Sequence, residues 1–172
     1  MTKTTSDRIW SAYRALGADC VFGLPGSQTI DAFQALKGSG LRTVVPTHEM
    51  AAAFMATGYA RASGRPGILT TIPGPGFTYA LTGIAEAWLD SAPLVYVVPA
   101  ARERSGGEFA LQAIDQHAMA GPIVKEIFHA EGASTAAATA VAAWHRAIED
   151  EPGPVVAEVV PELGERLGRR VL

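Results

Sequence analysis

Apolar runs too short to be helices alternate along the chain with longer stretches whose apolar residues recur at helical spacing. That alternation leaves few architectures, because a short run that is apolar throughout reads as a strand covered on both faces. Strands of that kind joined by helices lie parallel. The pattern predicts strands over residues 20–22, 42–45, 68–72, 94–98, 123–128 and 155–160. Helices are expected over 6–16, through Ile30, Phe33 and Leu36 to Gly38, over 47–63 with Thr47 as N-cap, over 77–89, over 110–119 as a short piece, and over 134–149 with Ser134 as cap. Residues 100–107 read as an irregular loop. The expected fold class is α/β, a three-layer α/β/α arrangement around a six-stranded parallel sheet. It occupies residues 1–161 and leaves 162–172 as a polar tail.

Composition agrees with one domain and excludes several functions. A chain of 172 residues with 48% hydrophobic content can build a single good core. Its net charge of −3 provides no footprint for nucleic acid, and Arg166, Arg169 and Arg170 are too sparse to change that. No apolar run reaches the ~18 residues of a membrane span, and the start of the chain is charged where a signal peptide needs apolar residues. A soluble, cytoplasmic protein is expected. The single cysteine, Cys20, excludes an internal disulfide and a cysteine-based metal cluster, and its place in the run DCVF makes it a packing residue.

Ligand grooves in open parallel sheets form at the carboxyl ends of the strands. Three loops there are unusual: GLPGSQ (residues 23–28), PTHE (46–49) and PGPG (73–76). PGPG is not a dinucleotide fingerprint, since Tyr79 stands where a third glycine is required, and no phosphate loop occurs. Tight turns at strand ends would account for these glycines equally well. Glu49 admits two readings as well. An acid in a first helical turn complements the helix dipole. Yet Ala51, Ala52, Ala53, Phe54 and Met55 follow it, so the helix start is expected to be partly buried, where a carboxylate needs a partner. No Lys or Arg is close in sequence, which leaves a ligand donor as the candidate.

Taken in order, the segments VFGLPGS, HEMAAAFMATGYARASG, TTIPGPGFTYALTGIAEAWLDSAPLV, LQAID before GPIVK, and PGPVVAEVV cover nearly the whole chain. Together they resemble the N-terminal pyrimidine-binding domain of thiamine diphosphate enzymes of the acetolactate synthase, pyruvate oxidase and benzoylformate decarboxylase type. The resemblance implies that Glu49 is catalytic, hydrogen-bonding N1′ of the cofactor's aminopyrimidine and so favouring the tautomer that takes the proton from C2 of the thiazolium. It implies cofactor contacts along Gly26, Pro73, Gly74, Pro75 and Gly76, through backbone that a larger residue would obstruct. Ser27 stands where benzoylformate decarboxylase has a serine near the substrate carboxylate, although a turn-capping serine accounts for it equally. Gln112 matches the glutamine of the FQEAD segment of acetolactate synthases, with Leu111 in place of phenylalanine and Ala113-Ile114 in place of Glu-Ala. His48 precedes the glutamate in many relatives, near the substrate or as a structural residue. His117 and His129 match no catalytic role and read as ordinary surface or packing residues.

The same resemblance implies a diphosphate-binding domain with GDG and an Asn some ~30 residues later, holding Mg²⁺ through oxygen ligands. The chain contains no GDG. It begins with Met and ends soon after the last expected strand, so the expectation is a subunit of a split enzyme, as in sulfopyruvate decarboxylase. The partner subunit would carry the GDG…N site and the Mg²⁺, share the thiamine diphosphate, and assemble with this chain as an α2β2 heterotetramer. The expected activity is decarboxylation of a 2-oxo acid with release of an aldehyde or transfer of the acyl unit. The alternative is a non-catalytic binding or regulatory module that kept the fold.

Overall fold

The computed structural model describes residues 3–100 and 111–160. The expected loop beyond residue 100, the first residue of the helix expected over 110–119, and the tail 162–172 lie outside the described residues. Six strands, β1 (Cys20–Gly23), β2 (Arg42–Val44), β3 (Gly67–Thr70), β4 (Leu94–Pro99), β5 (Ile127–Ala130) and β6 (Pro154–Val159), form one sheet in the order β2-β1-β3-β4-β6-β5. Every pairing is parallel. Among the described residues six α-helices accompany them: α1 (Thr5–Ala15), α2 (Ile30–Ser39), α3 (Glu49–Ser63), α4 (Pro75–Leu89), α5 (Gln116–Ala120) and α6 (Ala133–Ile148). No helix among the described residues is long and apolar enough to cross a membrane.

Strand side chains alternate between two cores, which makes the three layers. Val21, Ile68, Val95, Val97, Val155 and Ala157 face α1, α2 and α6, where Ile9, Trp10, Tyr13, Leu36 and Trp144 are buried. Cys20, Phe22, Leu69, Leu94, Tyr96 and Val156 face α3 and α4 with Ala53, Ala56, Phe77 and Ile84. Each fully buried aliphatic side chain contributes about 1.5–3 kcal/mol, so the continuous apolar strands supply most of the drive to collapse. On the first face Tyr13 lies between Trp10 and Trp144, with ring centroids at 6.3 and 6.1 Å. Burial pushes its phenol far above the ordinary range. Cys20 is buried as expected, and burial raises its thiol as well.

Two helices on the second face approach closely because their contact residues are small. A Cβ added at Gly83 of α4 would lie 2.5 Å from Ala53 Cβ and 3.0 Å from the Phe54 nitrogen of α3. The connections reverse direction between β1 and β3, since β1 leads outward to β2 and β3 leads the other way to β4. That switch point is where an open α/β sheet leaves a crevice beyond its strand ends.

Several element boundaries differ from expectation for local reasons. The fifth strand is Ile127–Ala130 rather than 123–128, because Gly121–Ile123 form a 3-10 turn around Pro122. Val124 owes its apolarity to core packing there. The N-cap of α3 is His48, not Thr47: its extended backbone lets Nδ1 accept from the Ala51 N–H at 3.2 Å. α4 begins at Pro75, two residues early, since proline is suited to a first helical turn. α6 is preceded by Gly132 as its N-cap, not Ser134. The helix expected over 110–119 is only Gln116–Ala120, capped by Asp115, which accepts from the Ala118 N–H at 2.9 Å. Gln112 cannot join it, having a φ of 64°.

Candidate functional site

β1, β2 and β3 deliver the three unusual loops to one edge of the sheet, and the segment before α5 closes over them. The turn after β1 is tied by Thr29, whose hydroxyl accepts from the Gly26 N–H at 2.9 Å and donates to the Gly26 carbonyl at 3.2 Å. The turn-capping part therefore belongs to Thr29, and Ser27 is exposed at the tip. Gly26 is bare where the turn meets the end of β3, since a Cβ there would lie 2.4 Å from Ile72 Cγ2.

Beyond β3 the chain enters α4 through Gly74, whose φ of 65° a side chain would disfavour. A Cβ on Gly74 would come within 2.9 Å of the Gln112 Cα, Cβ and carbonyl oxygen. The left-handed Gln112 is thus seated on the glycine loop. Its Oε1 accepts from Gln28 Nε2 at 2.5 Å, which joins the first loop to the segment before α5. Pro73 is buried and Pro75 is exposed.

Glu49 is the first residue of α3 and is half-buried. A Cβ on Gly76 would sit 3.3 Å from both Glu49 Oε1 and Thr71 Oγ1, and 2.6 Å from Ile72 Cγ1. The bare glycine therefore leaves a narrow space bounded by an acid and a hydroxyl. Thr71 donates to the Ile72 carbonyl at 2.9 Å, so in its 2.5 Å contact with Tyr96 the buried phenol is the donor. Burial pushes that phenol up, and the Glu49 charge adds to the effect. Among the described residues the Glu49 carboxylate makes no hydrogen bond and no ion pair. The helix terminus gives it a favourable field without giving it a partner.

Gly26 and Gly76 thus meet at Ile72, Glu49 borders Gly76 and Gln112 sits on Gly74, while His48 is exposed and spends Nδ1 on the helix cap. Sequence reasoning missed Thr71, Tyr96 and Gln28. Gln28 stood in the GLPGSQ loop, but nothing in the chain announces that its partner lies 84 residues away.

The match to known proteins covers all of these positions. The family described as thiamine pyrophosphate enzyme, N-terminal TPP binding domain, matches residues 3–119. A probable 2-ketoarginine decarboxylase of Pseudomonas aeruginosa is 44% identical over 110 residues, 62% of this chain and 20% of that protein. The acetolactate synthase large subunit of Haemophilus influenzae is 34% identical over 90% of this chain and 27% of its own length. A probable acetolactate synthase large subunit of Methanocaldococcus jannaschii is 36% identical over 87% of this chain and 25% of its own. The chain spans about a quarter of the length of the curated relatives it matches. The matched region runs through all the residues from Gly26 to Gln112, and it covers more than half of the sequence: the chain belongs to the thiamine pyrophosphate enzyme family and carries its N-terminal TPP-binding domain.

Proposed function

We propose that this chain holds the pyrimidine end of thiamine diphosphate in an enzyme that decarboxylates a 2-oxo acid and either releases an aldehyde or transfers the acyl unit. The reading rests on one observation above the others, the half-buried Glu49 carboxylate, which has no hydrogen-bond or ion-pair partner among the described residues and faces a glycine that a single methyl group would crowd. The residues fit an aminopyrimidine: a flat ring needs uncluttered backbone, which Gly26, Gly74 and Gly76 leave, and a carboxylate to share a proton with a ring nitrogen. When bound, the cofactor supplies the carbanion chemistry, and the protein supplies orientation and proton transfer. Glu49 holds or yields the proton at the pyrimidine nitrogen. Pro73 and Pro75 stiffen the loop that presents Gly74 and Gly76. Ser27, His48 and Gln112 line the approach on the substrate side, with Gln112 fixed by Gln28. The chain's similarity to a probable 2-ketoarginine decarboxylase and to acetolactate synthases supports the reaction class.

We further propose that the diphosphate and its Mg²⁺ are held by a second subunit in an α2β2 assembly within the cytoplasm. Magnesium takes oxygen ligands in a near-octahedral set, and among the described residues no cluster of three His, Cys, Asp or Glu side chains includes Glu49. Met50, Phe54, Tyr79 and Leu111 are exposed near the starts of α3 and α4 and before α5, and Tyr79 and Leu111 are 63% and 84% accessible. An apolar face of that kind around a half-made site suits a covering partner. Calorimetry tests the proposal directly: the chain with Mg²⁺ should bind thiamine diphosphate weakly, and adding a GDG-bearing chain should restore tight binding and 2-oxo acid decarboxylation. Tight Mg²⁺-dependent binding by this chain alone would refute the shared site. Tight binding in the mixture without any turnover would favour the non-catalytic module.

A further inference from the structure

The opposite end of the same sheet edge carries a cluster for which the proposed reaction has no use. β5 and β6 pair in parallel with His129 opposite Glu158, so their side chains emerge on one face as neighbours. α5 brings His117 onto this pair. His117 Nε2 lies 3.0 Å and His129 Nδ1 3.3 Å from the same oxygen, Glu158 Oε2. The two imidazoles stack, with centroids 4.8 Å apart and an interplanar angle of 11°. Oε1 of Glu158 is taken by Gln116, whose Nε2 donates to it at 2.7 Å while the amide also reaches the Pro99 carbonyl at 3.3 Å. Gln116 is itself buried, at 2% exposure, and its own Oε1 has no partner among the described residues.

We infer that His117, His129 and Glu158 form a binding site for a divalent first-row transition-metal ion of the zinc type, oriented by Gln116 and separate from the proposed Mg²⁺. The three ligand atoms lie within 4.8 Å of one another. Bonds of roughly 2.0–2.2 Å to nitrogen and oxygen in a tetrahedral site place ligand atoms about 3.3 Å apart. Two of the three separations, 3.0 and 3.3 Å, already meet that requirement. The third closes by a small turn of rings whose side chains are 47% and 45% exposed, whereas the carboxylate they surround is buried and fixed.

Two imidazoles and one carboxylate are a donor set for zinc, nickel or iron rather than for magnesium. The hydrogen bond from Gln116 is the kind of supporting contact that holds a ligand carboxylate in one orientation. The three ligand residues line a cleft together with Ala100, Ile114 and Val160, which leaves room beside them for a further ligand such as water. The ion would tie α5 to β5 and β6, and α5 follows directly on the segment that seats Gln112 against Gly74. Its role would be that of a clamp at the edge of the cofactor site.

The test is a titration of the chelator-stripped full chain with zinc chloride alone near neutral pH. One zinc per chain should bind, Mg²⁺ should not compete, and the His117→Ala/His129→Ala double substitution should weaken binding at least ~100-fold. Gln116→Ala should weaken it roughly 10–100-fold, and His145→Ala should leave it unchanged. Histidine ring resonances of the unsubstituted chain provide a readout that needs no variant, and zinc should shift two of the four. Stoichiometric zinc binding retained by the double variant, no binding by the folded wild-type chain, or shifts confined to His48 and His145 would each overturn the site.

Discussion

Glu49→Gln separates the two readings of this acid by size of effect. The side chain makes no hydrogen bond or ion pair among the described residues, so the fold loses only the charge at the start of α3. A charge at a helix terminus is worth about 0.3–1 kcal/mol, which for a chain of this length is a fall in melting temperature of roughly 1–4 °C. General acid–base work is worth far more, about 10²–10⁴-fold in rate, or roughly 2.7–5.4 kcal/mol of barrier at 1.36 kcal/mol per factor of ten. Stability should therefore barely change, while turnover of the enzyme reconstituted with its diphosphate-binding partner should collapse in kcat more than in KM. Thermal denaturation of the chain and steady-state kinetics of the mixture read the two quantities separately. Turnover within about threefold of wild type would remove Glu49 from the proton relay. A melting point lowered by more than about 10 °C would mean that the carboxylate holds the fold instead.

Gly83→Ala puts a methyl group 2.5 Å from Ala53 Cβ, an overpacking cost of about 1–3 kcal/mol that outweighs the ~1 kcal/mol gained in helix propensity; the urea midpoint should fall, and a rise would show that the α3–α4 crossing is looser than described. Asp19 is lowered by the hydrogen bond from Tyr59 at 2.6 Å and then by Arg65. A folded pKa below the unfolded one stabilises the protein above pH 3.8, and that stabilisation is lost as pH falls through the lowered value. Asp19→Asn should therefore be less stable than wild type at pH 7, by under ~1 kcal/mol because the group is half exposed, and the gap should close toward pH 3; a gap independent of pH would refute this. Ser27→Ala and Gln112→Ala should change substrate preference or product partition more than they change hydrogen exchange at C2 of the bound cofactor, and exchange abolished by either one would misplace that residue.

The sheet was legible because its signal is local. Each strand is an apolar run ended by Gly, Pro or a charge, and five of the six expected strands overlap the observed ones closely, with shifts of a residue or two at the ends. The fifth misled because Ile123 and Val124 are apolar for two other reasons, a 3-10 turn and a packing contact. Helix starts misled where the cap is unusual: a histidine ring at α3 and two glycines at α4 and α6, none of them a standard N-cap side chain. The site was legible in its parts and not in its assembly. Glycine loops and Glu49 stand out in the sequence, but the contacts of Gln28 with Gln112, and of His117 and His129 with Glu158, span 84, 41 and 29 residues and depend on strand order.

The segment from Leu111 to Ala120 is where the reading from sequence and the structure part most, and the same stretch joins the two sites. A helix across it would have placed Gln112 and His117 on one rod. The left-handed backbone at Gln112 breaks that rod and turns the side chain of residue 112 toward Gln28, while α5 carries residue 117 to the β5–β6 edge. Such a conformation costs a non-glycine residue about 1–2 kcal/mol, and one hydrogen bond with Gln28 contributes about 0.5–1.5 kcal/mol. The two nearly cancel. What keeps the segment seated comes instead from the packing of Ile114 against the core and from its other end, where Gln116 and His117 grip the buried Glu158. The cluster at the sheet edge is in this sense part of what positions Gln112. A change that loosens His117 or Gln116 should reach the cofactor site through five residues of chain, without touching a loop glycine or Glu49.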